Sequence, residues 1–507
     1  MLQSLLDGLV ATLGWPAFGF LLVGMAVGFT VGILPGLGGA VTLALMLPFT
    51  FDMEPTHAFA FLLGMLSVTA TTGDMTSILF GIPGESTSAA LVLDGHALSK
   101  QGQAGRALGA ALFASLLGAV IGAVALVAAI PVVRPLVLSF GSPEFFALII
   151  LGLTFIATLG RGKMLRSLAA AAFGLLLSTV GLDPQSGIPR FTFGSLQLWD
   201  GVGLVAVAIG LFGLPEVIDL ARRRGGIASQ ATDKVSGVKE GILDVIRHRW
   251  LLIRASLIGV FVGVLPGLGG SVAQWVAYGH AAQTSKDPSR FGKGAIEGVI
   301  APATVNNSKE GGGLVPTVAF GIPGSLTMAI LLGAFLIQGI QPGAEMLTTH
   351  LDLTMSFVWM IVIANVIAVP VALAAVKPIA KITTVRSGLI LPPLLLLIFI
   401  GAYSERTSMS SVFVMLAFGL LGLAMVKLDW PRAPLVLGLV LGGLAENYLF
   451  LSVSRYDMSW LTHPLVLVII AVSVLSATVP PLRGLWHRRR SARRPVAAAV
   501  SSGKEHV

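Results

Sequence analysis

Long runs of apolar residues recur from one end of this chain to the other. With a mean hydropathy of +0.89 and only 11% charged residues, the chain carries more apolar surface than a water-soluble domain can bury. It is predicted to be an all-α polytopic integral membrane protein of about 10–12 transmembrane helices, some broken or folded back as re-entrant hairpins. The clearest apolar runs are 107–130, 145–159, 164–182, 202–215, 353–376, 410–426 and 464–479.

The basic residues divide the chain. A polar, basic segment at 221–249 separates an N-terminal transmembrane half, 1–220, from a C-terminal half, 250–482, and a basic tail follows at 483–507. By the positive-inside rule both basic segments are expected in the cytoplasm, as determinants of topology and not as nucleic-acid sites. The chain has no cysteine, which excludes disulfides and thiolate metal sites.

Two motifs occur twice, in the same order. GFTVGILPGLGG at 28–39 matches GVFVGVLPGLGG at 259–270, and FGIPGE at 80–85 matches FGIPGS at 320–325. Two ordered matches indicate an internal duplication. The first copy begins without a basic residue and ends at the basic loop that starts with Lys100, whereas the second begins with basic residues and ends without them. The copies are therefore predicted to be inverted-topology repeats, as in many secondary transporters.

The proline of each PGLGG motif predicts a helix break inside the membrane. Proline has no N–H, and the glycines that follow favour non-helical backbone. Such a break leaves amides that need partners within the protein or a watery cavity, and helix N-termini attract carboxylates. Glycines spaced by four before each break are expected only to allow close helix packing. The predicted substrate-binding residues are Pro35, Gly36, Gly38, Gly39, Ser86, Pro266, Gly267, Gly269, Gly270, Ser271, Asn306, Asn307 and Ser325.

The two FGIPG elements are expected to start helices, with Ser86 and Ser325 as their N-caps. In the polar stretch before the first element, Thr71, Thr72 and Asp74 are candidates for holding a cation such as Na⁺. No other metal site is predicted.

Four polar residues elsewhere have competing interpretations. Asn306 and Asn307 can contact a carboxylate or satisfy an interhelical hydrogen bond. Lys309 and Glu310 are interpreted as an exposed loop pair, and Asp94 is expected to cap or orient a cytoplasmic loop.

At these motifs the chain resembles the large membrane subunit, or permease, of the bacterial tripartite tricarboxylate transporters. Ordered matches cover nearly the whole length: GILPGLGG, SILFGIPGE, LDGHALSKQGQAGRALG, FGSPEFFALIILGL, GLFGLPEVI, GVLPGLGG, NNSKEGGGLVPTVAFGIPGS and WPRAPLVLGLVLGGLAEN. The resemblance implies uptake of tricarboxylates or related organic anions, driven by a Na⁺ or H⁺ gradient and without a cofactor. It also implies a small membrane subunit of about four helices, a periplasmic solute-binding protein, and a place in the bacterial inner membrane with the C-terminus in the cytoplasm.

The chain departs from the family pattern at several of these positions. Ala303 stands where the family has an acidic residue, and Lys309 and Glu310 stand where it has small apolar ones. The segment 69–77 replaces a stretch in which tyrosines and paired glycines are common. Because of these differences, the substrate and the coupling ion are not taken to be those usual in the family.

Two other functions fit a membrane protein. An anion channel would lack coupling, and the sequence excludes it only weakly. A membrane-embedded enzyme is disfavoured, because the chain contains neither a His-Glu-x-x-His zinc motif nor a phosphate-binding loop, and its Tyr-Asp and Gly-Asp pairs come in the wrong order for an intramembrane aspartyl protease.

Inversion of the repeats predicts that Lys100 and Glu345 lie on opposite sides of the membrane. Because the chain is naturally free of cysteine, Lys100→Cys and Glu345→Cys can each be labelled with a membrane-impermeant maleimide in intact cells. We expect labelling of the variant at 345 and protection of the variant at 100. The same accessibility at both positions would contradict an inverted repeat.

Overall fold

The computed structural model describes residues 1–33, 38–158, 163–222, 236–266, 269–376, 387–476 and 478. Three predicted site residues, Pro35, Gly36 and Gly267, lie outside the described residues. The same holds for residues 223–235 of the basic linker and for the basic tail.

The first half is helical except for one short hairpin. The helices are α1 (Leu2–Leu13), α2 (Ala17–Gly32), α3 (Gly39–Met46), α4 (Pro55–Phe80), α5 (Ala97–Lys100), α6 (Ala104–Leu138), α7 (Ser142–Thr158), α8 (Met164–Ser178), α9 (Leu204–Ala208) and α10 (Leu214–Arg222), with 3₁₀ turns at Leu47–Thr50, Ser86–Ser88 and Leu196–Leu198 and π-turns at Val92–His96 and Ile209–Gly213.

The second half repeats this composition without a strand among its described residues. Its helices are α11 (Val238–Arg247), α12 (Arg249–Val264), α13 (Gly269–Thr284), α14 (Glu297–Phe320), α15 (Leu326–Ile337), α16 (Leu351–Ala374), α17 (Ser387–Ser404), α18 (Met409–Lys427), α19 (Ala433–Tyr456) and α20 (Pro464–Ser476), with 3₁₀ turns at Pro288–Arg290, Ala344–Leu347 and Asp457–Thr462.

The all-α polytopic class is confirmed. By length and apolar composition, six helical segments in the described part can cross a membrane, and the bent pair α1 and α2, at 68°, would make a seventh. Six further apolar helices have only 10 to 17 residues. The predicted total of about 10–12 is therefore reached only when short helices are counted with the long ones.

The single hairpin, β1 (Gly181–Leu182) and β2 (Pro189–Arg190), is antiparallel and follows α8. Arg190 donates two hydrogen bonds to the carboxylate of Glu446 on α19 and also pairs with Asp183 in the hairpin loop. A bidentate arginine bond is directional, so it fixes the loop against a helix of the other half.

The packing follows the same scheme in both halves. In the first, α2 packs against α4 and is followed by a break before α3; in the second, α12 packs against α14 and is followed by a break before α13. Both α4 and α14 end at a glycine with a left-handed backbone, Gly81 (φ 68°) and Gly321 (φ 66°). The predicted breaks are thus present in both copies.

The halves also exchange partners. The first helix of each repeat packs against a long helix of the other half: α1 packs against α16, and α11, which lies within the predicted linker, packs against α6. In turn α6 packs against α14, and α16 packs against α4. As a result α4 and α14 are covered on all sides, with residues 58–79 and 298–319 buried without exception.

Glycines set the distance between these central helices and their partners. A Cβ added at Gly28 of α2 would overlap the carbonyl of Met65 on α4, and one added at Gly263 of α12 would overlap the carbonyl of Lys309 on α14. The predicted packing role of the four-residue glycine spacing is confirmed.

The substitution Gly28→Ala tests this packing. We expect it to lower stability by about 1–3 kcal/mol, because the backbone of α4 has no space to yield. Gly279→Ala is the matched control, since nothing lies within 4 Å of its added Cβ and alanine favours a helix. Equal melting temperatures of the two purified variants in detergent would contradict the prediction.

Candidate functional site

A chain of buried polar groups joins α4 to α14. Asn306 donates from Nδ2 to Asp74 Oδ1 (2.9 Å) and to the carbonyl of Ala70 (3.0 Å). Lys309 donates from Nζ to the side-chain and main-chain oxygens of Asn306 (3.2 and 2.9 Å) and to Glu310 Oε1 (2.8 Å). Hydrogen bonds thus connect four side chains of the two halves in one network, in the order Asp74, Asn306, Lys309 and Glu310.

The interpretation of Lys309 and Glu310 as an exposed loop pair was wrong. Both lie within α14, and each is only 8% exposed. The three glycines that follow suggested a loop, but they lie inside the helix, where a Cβ at Gly311 or Gly312 would overlap the backbone of α6 or α12. Small residues here serve close packing, so glycine content alone did not distinguish a loop from a crowded helix.

A small cavity lies beside this network, between the halves. About 40 Å³ is open to the centres of water molecules, which is room for a few waters. A carboxylate group fits such a volume, and a whole tricarboxylate does not. Its polar lining comes from both copies: Glu85, Thr87, Lys309, Glu310, Ser325 and Thr327, with Gly270.

At the first break the chain supplies its own carboxylate. Gly38 is the N-cap of α3, and the amide of Gly39 donates to Glu85 Oε2 (3.1 Å). The hydroxyl of Thr87 donates to the other oxygen of Glu85. The amide that was expected to meet a substrate carboxylate therefore has a protein carboxylate as its partner.

In the second copy Ser325 stands at the position that matches Glu85. Pro266 lies between α12 and α13, and Gly269, Gly270 and Ser271 form the first turn of α13. A Cβ at Gly270 would overlap the side chains of Lys309 and Thr87, so glycine is needed for the lysine to reach the network. The side chain of Ser271 lies outside the described part.

The predicted N-caps are half correct. Ser325 caps α15, with its hydroxyl accepting from the amide of Met328 (3.2 Å). In the first copy the N-cap is Glu85, not Ser86, and Ser88 completes its capping box. Glu85 and Ser325 hold the same place in FGIPGE and FGIPGS, and this difference between the copies is the sequence signal that could have pointed to Glu85. The side chain of Ser86 is not among the described ones.

Asn307 lies apart from the cavity lining. It is 2% exposed and donates to Ser115 (2.8 Å), Asn365 (2.6 Å) and Thr71 (3.2 Å). These partners belong to α6, α16 and α4, so the amide connects four helices. This geometry favours the interhelical alternative for Asn307.

Of the three cation candidates, only Asp74 has an oxygen without a partner. Thr71 and Thr72 donate to the carbonyls of Ser67 (3.0 Å) and Val68 (2.9 Å), one turn earlier in α4. Asp74 is completely buried, and its Oδ2 has no hydrogen-bond partner.

Asp94 is the fully partnered counterpart. It is completely buried and accepts from the amides of Gly294 (2.8 Å) and Ala295 (2.9 Å) and from the hydroxyl of Tyr278 (2.9 Å). Asp94 thus orients the loop that precedes α14 in the other half, and the cytoplasmic location expected for its own loop stays a prediction.

The comparisons with known proteins agree with the motifs. The sequence profile of the tripartite tricarboxylate transporter TctA family matches residues 18–437. The chain belongs to this family. It is a family of membrane transporters, and a tripartite system has further subunits.

Two curated relatives come from Agrobacterium vitis. The "Uncharacterized 52.8 kDa protein in TAR-I ttuC' 3'region" is 34% identical over 478 residues, 91% of this chain and 93% of the relative. The "Uncharacterized protein in TAR-II ttuC' 3'region" is 32% identical over 231 residues, 44% of this chain and 96% of the relative. No solved structure matches.

The ion pair of α14 leads to a stability prediction. Lys309→Met leaves Glu310 and the oxygens of Asn306 without their donor, so we expect a loss of about 3–5 kcal/mol. A double variant, Lys309→Met with Glu310→Leu, should recover most of this loss, because an apolar pair of similar volume often replaces a buried ion pair at little cost. Denaturant unfolding in detergent measures both. A double variant as unstable as the single one would contradict the pairing.

Proposed function

We propose that the chain is the large permease subunit of a binding-protein-dependent secondary transporter. In this proposal it imports carboxylates, tricarboxylates or related organic anions, driven by a Na⁺ or H⁺ gradient through alternating access. Membership of the family supports the tripartite assembly. The observation that carries the proposal furthest is the buried, charged cavity between two copies of a broken-helix motif.

The substrate carboxylate is proposed to bind between the copies. Its partners would be the amides near both breaks and the polar side chains around them, as predicted from the sequence, with Lys309 as an added countercharge. Because the cavity admits only a carboxylate group, the rest of the substrate requires a wider state, in which one half moves relative to the other.

Charge balance supports coupling to a cation. Asp74, Glu85 and Glu310 face a single ammonium group, that of Lys309, in a buried region. A carboxylate added to this cluster raises the excess of negative charge, which is unfavourable away from water. A Na⁺ or H⁺ that enters with the substrate would offset it, whereas a passive channel gives no such reason for buried acids.

The proposed partners are a small membrane subunit of about four helices and a periplasmic binding protein that delivers the substrate. The proposed location is the bacterial inner membrane, with the basic tail in the cytoplasm. The functional halves are proposed to be residues 1–220 and 250–482, joined by the basic linker.

The decisive experiment is uptake by proteoliposomes that contain the chain, its small subunit and its binding protein. A panel of labelled mono-, di- and tricarboxylates is offered under an imposed Na⁺ gradient, an imposed proton gradient, or neither. We expect accumulation above the external concentration under one gradient. Entry that only equilibrates, with no effect of either gradient, would indicate a channel, and no entry of any panel member would refute carboxylate import.

The breaks themselves can be tested by Gly36→Val and Gly267→Val. We expect both to abolish uptake while membrane insertion is retained, because a β-branched residue disfavours the backbone that the break requires. Gly279→Val is the control, placed where an added side chain has open space. Normal uptake by the two break variants would show that the breaks are not the site.

A further inference from the structure

Asp74 differs from every other buried carboxylate of the described residues. Its Oδ2 is the one carboxylate oxygen among them that is inaccessible and has no hydrogen-bond partner. Its Oδ1 accepts a hydrogen bond from Asn306, which fixes the orientation of the carboxyl group. Oδ2 therefore stays in a position where it has no donor. An ionised carboxylate buried with an unpartnered oxygen is unfavourable, and this oxygen therefore requires an occupant.

We propose that Oδ2 of Asp74 carries the coupling proton of this transporter. A proton from the water on the entry side bonds to Oδ2 before the substrate binds, and it passes to water on the other side after the substrate has been released there. The inference rests on the proposed function, since a coupling proton presupposes coupled transport.

The geometry favours a proton over a metal cation. A hard metal cation is held by several oxygen ligands and needs volume for them. Asp74 does not line the central cavity and its Oδ2 is inaccessible to water, so no space for such a ligand shell is open at that oxygen. A proton needs neither a cavity nor a ligand shell.

The charged groups around Asp74 connect it to the cavity. Glu85 faces it from the loop after α4, and Lys309 faces it from α14, where it is paired with Glu310. One turn beyond Asp74 on α4, the carbonyl of Ile78 contacts the ring of His96, which belongs to the π-turn. Asn306 contacts both Asp74 and Lys309, so an anion that enters beside Lys309 adds negative charge one hydrogen-bonded side chain away from Asp74. Anion and proton then bind favourably together, and by linkage each increases the affinity for the other.

Infrared difference spectroscopy on the purified full chain tests the proton directly. The wild type should show the C=O stretch of a protonated carboxyl group at neutral pH, unchanged when Na⁺ is replaced by K⁺, and Asp74→Asn should lack it. Asp94→Asn is the matched control, because Asp94 is equally buried but has three donors and should contribute no such band. If Asp74→Asn does not fold, Asp74→Glu decides by a shift of the same band.

An unchanged band in Asp74→Asn, or a band that depends on Na⁺, would overturn the proposal. The infrared measurement needs no substrate, so it tests the proton on Asp74 even if no carboxylate of the uptake panel is transported.

Transport then tests coupling, using the panel member with the highest uptake. A gradient of one pH unit supports up to about tenfold accumulation per coupled proton. We expect wild type to accumulate the carboxylate and Asp74→Asn only to equilibrate it, while exchange of internal for external carboxylate continues in both. Proton-driven accumulation by Asp74→Asn equal to wild type would refute the assignment without refuting carboxylate transport.

Discussion

A helix that stops inside an apolar environment must give its free amides a partner from within the protein. The first copy of the PGLGG motif meets this requirement beside the loop that follows α4. In the first copy the partner is Glu85, which lies 46 residues beyond the amide of Gly39. The position of the cavity, and the polar groups that line it, follow from this requirement.

The same region concentrates charge that the bilayer would not tolerate. Lys309 and Glu310 satisfy each other, and Asn306 joins them to Asp74. Asp74 therefore reaches Lys309 only through Asn306, and the four side chains form one hydrogen-bonded chain.

The sequence was informative where local chemistry decides the structure. The helix α2 ends at Gly32 and α12 ends at Val264, close to the two PGLGG motifs, so the breaks and the packing glycines could be predicted. The sequence was misleading where the structure depends on a contact between residues far apart in the chain. The partner of Glu85 is far along the chain, and the burial of Lys309 depends on α6 and α12 covering α14. The polar pattern of Thr71 and Thr72 did not show that their hydroxyls donate to the carbonyls of Ser67 and Val68 in the same helix.

The exchange of first helices between the halves has a consequence for biosynthesis. The surface of α6 that accepts α11 is completed only after the linker has been made, and α1 must wait for α16. Neither half presents a finished exterior to lipid while the ribosome is still extending the chain. Assembly in the membrane is therefore a late, cooperative event, and a chain truncated after its first half would expose small-residue grooves to insertase and protease surveillance.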